Sequence, residues 1–288
     1  MRADRRSAAG DDALPRIDAW LMRGFERVFL PRFIRRNFHA FAVNRTQISP
    51  ATLDPKSSMV VFANHASWWD PMTAILLRHR LFPAHRFYAP IDAAALAKYR
   101  IFERMGFYGL SLHTYHGSAE FLKRSLRIVR EPGSSLWLTP EGRFCDVRNT
   151  EQGFMPGLAH LASMVEQRQP LSDSYSSHVT FLPAAIEYTF WEESEPECLC
   201  WIGAPIEVHW GRVTRDKADW DRDLTAALRK AQQHLAAASI ARDAQQFELL
   251  LSGRAGSWGV YDALRRTWAR FRGQHVPLEH GHKFSTGK

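Results

Sequence analysis

The chain has 288 residues, of which 45% are hydrophobic and 24% charged, a composition suited to one large globular domain or one domain with extensions. Lys and Arg number 38 against 30 Asp and Glu, a formal charge of +8, so an anionic partner is expected: nucleic acid, anionic lipid or a phosphorylated substrate. Three cysteines are too few for a disulfide framework and point to a reducing compartment, no apolar run is long enough to span a membrane, and MRADRRSAAGDD is not followed by the apolar stretch of a secretory signal.

In chain order, residues 1–13 read as disordered. Residues 15–43 carry Ile17, Trp20, Leu21, Phe25, Val28 and Phe29 at helical spacing, and Pro31 is expected to kink or divide the helix. Seven arginines and two acids lie between residues 13 and 45. That pattern fits an interfacial helix, and it also fits an ordinary helix packed across the domain. From residue 58 the pattern alternates. MVVFAN reads as a strand, PMTAILLRHR as a helix, RFYAP as a short strand and DAAALAKYRIFERM as a helix. GSAEFLKRSLRIVRE then reads as a helix, SSLWLTP as a strand and PGLAHLASMVEQ as a helix. HVTFLPAAIEYTF and CLCWIGAPIEV read as strands, with Cys198 and Cys200 as core filling. This alternation predicts an α/β fold, a largely parallel central sheet flanked by helices, with amphipathic N-terminal and C-terminal helical extensions. The expected division is a basic amphipathic membrane-associating segment over 1–45, an α/β core over 46–212 and a helical extension and tail over 213–288. Residues 215–250 are mostly helix formers. Residues 257–272, with Val260, Tyr261, Leu264, Trp268 and Phe271 among four arginines, could form a second interfacial helix. His280 and His282 read as surface histidines, and no metal site is expected.

Four stretches carry chemistry. In VVFANHASWWDP, residues 60–71, a strand delivers Asn64 and His65 to its carboxyl end, where ligands sit in doubly wound sheets. Asp70 before Pro71 has a plain structural reading as a helix N-cap, worth ~1 kcal/mol. A carboxylate there could also bond one imidazole nitrogen across the turn and leave the other free as a base. In LTPEGRF, residues 138–144, Glu141, Gly142 and Arg143 follow a second strand, and a local Glu–Arg pair closing a polar turn is the simple reading. In GFMPGLAHLA, Pro156 starts a helix and Phe154 could wall an apolar chain. In FLPAAIEYTF, Pro183 suggests the first residue of a strand or a bulge.

In this order the four stretches resemble the glycerolipid acyltransferase family that includes lysophosphatidic acid acyltransferase. The resemblance covers roughly residues 55–210. It rests on the H-x4-D block from His65 to Asp70, on TPEGRF in place of an FPEGTR-like block, on FMPG, and on LPAAI. It implies acyl transfer from a thioester to a hydroxyl, with His65 as general base and Asp70 orienting it. Asn64, Glu141, Gly142, Arg143, Phe154 and Pro183 would then serve substrate binding. The absence of a G-x-S-x-G elbow fits direct attack without an acyl-enzyme, and Ser67 reads as a turn residue. The implied co-substrate is acyl-CoA or acyl-carrier protein, with no cofactor. The implied partners are a membrane lipid surface and a lipid acceptor, not nucleic acid, and the implied location is peripheral, on the cytoplasmic face of a membrane. Two departures matter. The arginine that the family carries after a glycine is replaced near Gly106 by Leu112 and His113, and E-G-T-R has become E-G-R-F, with Arg148 the next guanidinium along. A non-phosphate head-group acceptor is therefore expected. The alternatives are an ordinary lysophosphatidic acid acyltransferase and a non-catalytic lipid-binding protein of the same fold.

Overall fold

The structure is a computed structural model and describes residues 14–48, 54–111, 114–170, 176–254 and Phe284. The readings of residues 1–13, of the 257–272 helix, of His280 and His282, and of Leu112 and His113 fall outside the described residues.

A nine-stranded mixed sheet runs in the order β4-β3-β5-β2-β6-β7-β1-β9, with β8 also paired to β6. The strands are β1 Ala40–Asn44, β2 Ser58–Ala63, β3 Arg86–Asp92, β4 Phe107–Leu110, β5 Ser134–Leu138, β6 His178–Thr189, β7 Glu197–Ile202, β8 Ile206–His209 and β9 Glu248–Ser252. β2 lies parallel between β5 and β6, and β3 is parallel to β4 and β5. β7 and β8 run antiparallel to β6, and β9 antiparallel to β1. The sheet is largely parallel because crossover helices separate its first strands in sequence.

Strand alternation sorts the core into two faces. Met59, Val61 and Ala63 of β2 pack with Met22, Ile34, Ile75 and Leu76. Val60 and Phe62 pack with Leu126, Leu161, Trp220 and Leu224 on the other side. Helices α1 Ala19–Gly24, α2 Leu30–Asn37 and α3 Asp70–Leu81 therefore cover one face. Helices α5 Tyr115–Val129, α6 Gly157–Glu166 and α7 Lys217–Ile240 cover the other, and the short α4 Ala93–Lys98 flanks β3 and β4.

Several local expectations change. Pro31 stands in the first turn of α2, which a π turn, Phe25–Phe29, joins to α1, and Leu30 donates to the Phe25 carbonyl. The missing Pro31 donor is absorbed in that turn instead of breaking the run. The helix ends at Asn37, and residues 40–44 are not helical; they form β1, parallel to β7. The division after residue 45 thus falls just behind a strand inside the sheet. Residues 248–252 are β9, not helix. Pro183 is not a first residue, and the chain facing it is irregular: the three residues 203–205 lie opposite Leu182 and Pro183 of β6, one more than a regular ladder holds. Pro183 sits within β6 where the antiparallel partner changes from β8 to β7, and its carbonyl accepts from Gly203 N at 2.9 Å. Pro183 has no N–H to return that bond to Gly203, and the β6–β7 ladder ends there.

Candidate active site

β2 ends at Ala63, and the Asn64 side chain extends its pairing. Asn64 Nδ2 donates to Ile186 O at 2.9 Å and Ile186 N donates to Asn64 Oδ1 at 2.8 Å, so the amide mimics one more rung against β6. Its polar groups are spent on backbone, which fixes where His65 leaves the sheet.

His65 Nδ1 lies 2.6 Å from Asp70 Oδ2. A carboxylate oxygen accepts, so Nδ1 carries the proton and the Nε2 lone pair faces outward. No described group bonds Nε2, and the imidazole is 22% exposed against 4% for Asp70. Asp70 is not the helix cap. It is the first residue of α3, the cap position belongs to Trp69, and no side chain caps the helix. The Asp70 carboxylate is turned back into the preceding turn, where Ser67 N donates to Oδ2 at 3.1 Å. Tyr188 OH donates to Oδ1 at 2.9 Å, and Thr73 Oγ1 lies 2.9 Å from the phenol. Because the Tyr188 proton goes to Asp70, Thr73 must donate to Tyr188. Burial raises the Tyr188 phenol well above its ordinary value, and Cys198 and Asp70 add to the shift, so it stays a donor.

Glu141 holds the other side of the turn. His65 N donates to Glu141 Oε2 at 2.8 Å, and Arg229 Nη1 of α7 donates to Oε1 at 2.9 Å. The local Glu141–Arg143 pair does not form; the exposed Arg143 instead bonds Gln152 through Nε at 3.1 Å and through Nη2. Gly142 adopts φ +66°, a conformation open to glycine, and three residues on Cys145 N donates to His65 O at 2.8 Å. Phe144 follows, its ring centroid 4.3 Å from that of His65 and its side chain 60% exposed. Arg148 lies 3.5 Å from Glu187, whose carboxyl is raised chiefly by burial. Phe154 is half-buried beneath the Arg229 guanidinium, with Cζ 5.4 Å from the ring centroid. Pro183 is buried in β6, level with Phe62 and three residues short of His65.

The structure therefore gathers His65, Asp70, Asn64, Glu141 and Gly142 around one turn. Arg143 and Phe154 stand at its rim, and Pro183 lies in the sheet beneath. Tyr188, Thr73, Phe144 and Arg229 were not read from the sequence. A signal for Arg229 existed: it sits beside the buried stripe Trp220, Leu224, Leu228, Ala231 and Leu235, where a permanent cation needs a partner.

An aromatic ladder leads from the N-terminal helix to this turn. Centroid spacings are 5.1 Å for Phe25–Phe29, 5.4 Å for Phe29–Phe33, 5.0 Å for Phe33–Trp69 and 4.6 Å for Trp69–Trp68. Phe29 and Trp68 are exposed at 52% and 59%. The helix is anchored from below by buried Glu26, paired with Arg78 and 3.3 Å from His79 Nδ1. No described helix is long and apolar enough to cross a membrane.

No protein-family model matches the chain, and no curated protein matches it. Among solved structures, the chain is similar to the 1-acyl-sn-glycerophosphate (LPA) acyltransferase PlsC from Thermotoga maritima, with a TM-score of 0.45 and 11% identity over 76% of this chain and 79% of that chain. At that level of likeness, the chemistry of this chain has to be read from its own residues.

Proposed function

We propose that the protein is a membrane-surface O-acyltransferase that moves a fatty acyl group from a thioester, acyl-CoA or acyl-carrier protein, to a hydroxyl of a lipid acceptor. The single observation that carries this reading is the 2.6 Å bond between His65 Nδ1 and a buried carboxylate, which leaves Nε2 open to an incoming hydroxyl. In this reaction Nε2 takes the acceptor proton as the oxygen attacks the thioester carbonyl carbon. The tetrahedral oxyanion then collapses, the C–S bond breaks, and the imidazolium returns the proton to the leaving thiolate. Asp70 holds the tautomer and balances the imidazolium. The motif order, resembling glycerolipid acyltransferases, favours this reaction over other uses of a His–Asp pair. Full-length protein incubated with labelled acyl-CoA or acyl-carrier protein and a panel of lysolipids should form acylated lipid, read by mass spectrometry. Lipid binding without turnover on any donor would favour the non-catalytic reading.

The acceptor in this proposal has a non-phosphate head group, such as a sugar or amino acid. Arg143 bonds Gln152 and Arg148 lies 3.5 Å from Glu187, so a phosphate would have to compete with partners that both guanidinium groups already have. Each charge-assisted bond to a phosphate is worth roughly 1.5–3 kcal/mol, so lysophosphatidate should be used roughly 10- to 100-fold less well than lyso-ornithine or glycolipid acceptors at equal concentration. A clear preference for lysophosphatidate would restore the ordinary phospholipid reading.

The membrane contact is assigned to the N-terminal helical run. Its buried residues Met22, Leu30 and Ile34 pack on the domain, while Trp20, Val28 and Phe29 are exposed at 81%, 49% and 52%. Arg23, Arg27, Arg32, Arg35 and Arg36 are exposed beside them. The interfacial and the packed readings of this segment thus describe opposite faces of one helix. Binding to anionic vesicles should weaken with salt, and Arg32, Arg35 and Arg36 changed together to Gln should weaken it at about 1 kcal/mol per residue. Trp20→Ser should do the same without moving the melting temperature, because its side chain is 81% exposed. Unchanged flotation of both variants would remove this segment as the anchor. Deleting the first 45 residues is not a fair test, because it removes β1.

A further inference from the structure

We propose that Arg229 of α7 is a positioning residue for the catalytic turn, fixing the His65 main chain through the Glu141 carboxylate. The catalytic meaning of this proposal rests on the function proposed above; the positional claim does not.

Arg229 lies on a 24-residue helix far along the chain from the motif blocks, yet only 8% of it is exposed. A guanidinium stays charged, so its burial has to be offset by partners. Nη1 donates to Glu141 Oε1 at 2.9 Å and to Gln232 Oε1 at 2.6 Å, and Nη2 donates to the Gln152 carbonyl. Gln232 Nε2 donates to Val147 O at 3.0 Å, so α7 grips the loop after β5 at three points, Glu141, Val147 and Gln152. Each oxygen of Glu141 then has its own task. Oε1 is held by Arg229, and Oε2 accepts from His65 N at 2.8 Å. The His65 carbonyl is tied to the same loop through Cys145 N at 2.8 Å. Both main-chain groups of His65 therefore report to a loop whose place is set by α7. The short imidazole–Asp70 bond leaves little room for the His65 backbone to drift, and ångström-scale displacement of a catalytic group can cost on the order of 100-fold in rate.

The full-length chain tests this with Arg229→Met, Arg229→Lys, Glu141→Gln and the double variant R229M/E141Q. Two readouts are taken beside thermal melting. One is kcat and KM with palmitoyl-CoA as donor. The other needs no turnover: the low-field proton resonance of His65 Nδ1–H, assigned by its loss in His65→Gln. Arg229→Met should lower kcat by roughly 10- to 100-fold with KM within about threefold, and should shift or broaden the resonance. Arg229→Lys, which keeps a cation against Glu141, should retain most of the signal. The double variant should regain at least about fivefold in kcat over Arg229→Met, because a glutamine at 141 still accepts from His65 N and no carboxylate is left buried without its cation. If Arg229→Met does not fold, Arg229→Gln takes its place in both readouts. A wild-type resonance in folded R229M, or in the variant that takes its place, overturns the proposal. So does an equal loss in R229M and R229M/E141Q that tracks melting alone. Absence of acyl transfer in the wild-type chain would count against the proposed reaction, while the resonance would still decide the role of Arg229.

Discussion

Replacing His65 with alanine is expected to lower acyl transfer by roughly 100- to 10,000-fold, the range of general-base catalysis, in a chain that stays folded. The loss follows because no described group other than His65 offers an open base at the end of β2. The fold should survive because the ties of this residue to the scaffold are main-chain ones. His65 N to Glu141 and Cys145 N to His65 O, both 2.8 Å, do not involve the imidazole. Asp70 keeps Ser67 N and Tyr188 OH as donors after the substitution, at 3.1 and 2.9 Å in the parent. Turnover and melting measured on the same preparation check it. Near wild-type turnover with unchanged melting would remove His65 as the base.

The second large effect is expected from Asp70→Asn, again on the order of 100- to 10,000-fold in rate. The reason is the tautomer. The carboxylate can only accept, so it holds the proton on Nδ1. An asparagine at 70 that turns its NH2 toward Nδ1 keeps its one oxygen for the Tyr188 phenol and leaves the Ser67 amide, which shared Oδ2 with His65, without that acceptor. Nδ1 then becomes an acceptor, the proton moves to Nε2, and the lone pair that should take the hydroxyl proton is gone. Stability should change little, by about 1 kcal/mol, since the side chain keeps its shape and most of its partners. Asp70→Ala should differ. It leaves Ser67 N and Tyr188 OH without an acceptor in a buried turn, and should cost about 1–3 kcal/mol more. A fast, folded Asp70→Asn variant would show that orientation by this carboxylate does not limit the reaction.

That comparison also separates two roles for Asp70 that the sequence left open. An Asp-Pro pair before an apolar run reads as a helix cap, and α3 does start there. The carboxylate nevertheless points away from the helix amides, because His65, Ser67 and Tyr188 supply stronger and closer donors from three different places in the chain. Two of the three are local to the turn. Tyr188 comes from β6, and only the parallel pairing of β2 with β6 carries it there.

Much of the fold was legible from short stretches. β2, β5, β6 and β7, and α3, α5 and α6, appear where short apolar runs, helical patterns and their flanking turn residues put them. Such patterns are local, because backbone preference and face-by-face burial act within a few residues. β1 and β9 were not legible. AFAVN follows directly on a helix, and its apolar residues continue the apolar run of that helix with no glycine or proline between them to mark a break. It is a strand because its backbone pairs with Glu197–Trp201 on one side and with Glu248–Ser252 on the other, more than 150 residues away. β4, only four residues long, is carried likewise by β3.

The candidate site divides along the same line. The H-x4-D spacing and the strand before it were enough to bring His65 and Asp70 within reach, since five residues in a turn can fold back on themselves. Glu141, Gly142 and Arg143 could be placed at a second strand end, and β5 beside β2 brings that end to the same place. Which partner each charge takes was beyond local pattern. Glu141 passes over Arg143, two residues away, for Arg229, 88 residues away. Arg143 can reach solvent and Gln152, whereas Arg229 is carried on a helix packed against β6 and has no water to turn to. A buried ion must be paired where the fold puts it, and an exposed one need not be. That asymmetry, set by packing and not by sequence spacing, is what makes a residue of the last described helix part of the site.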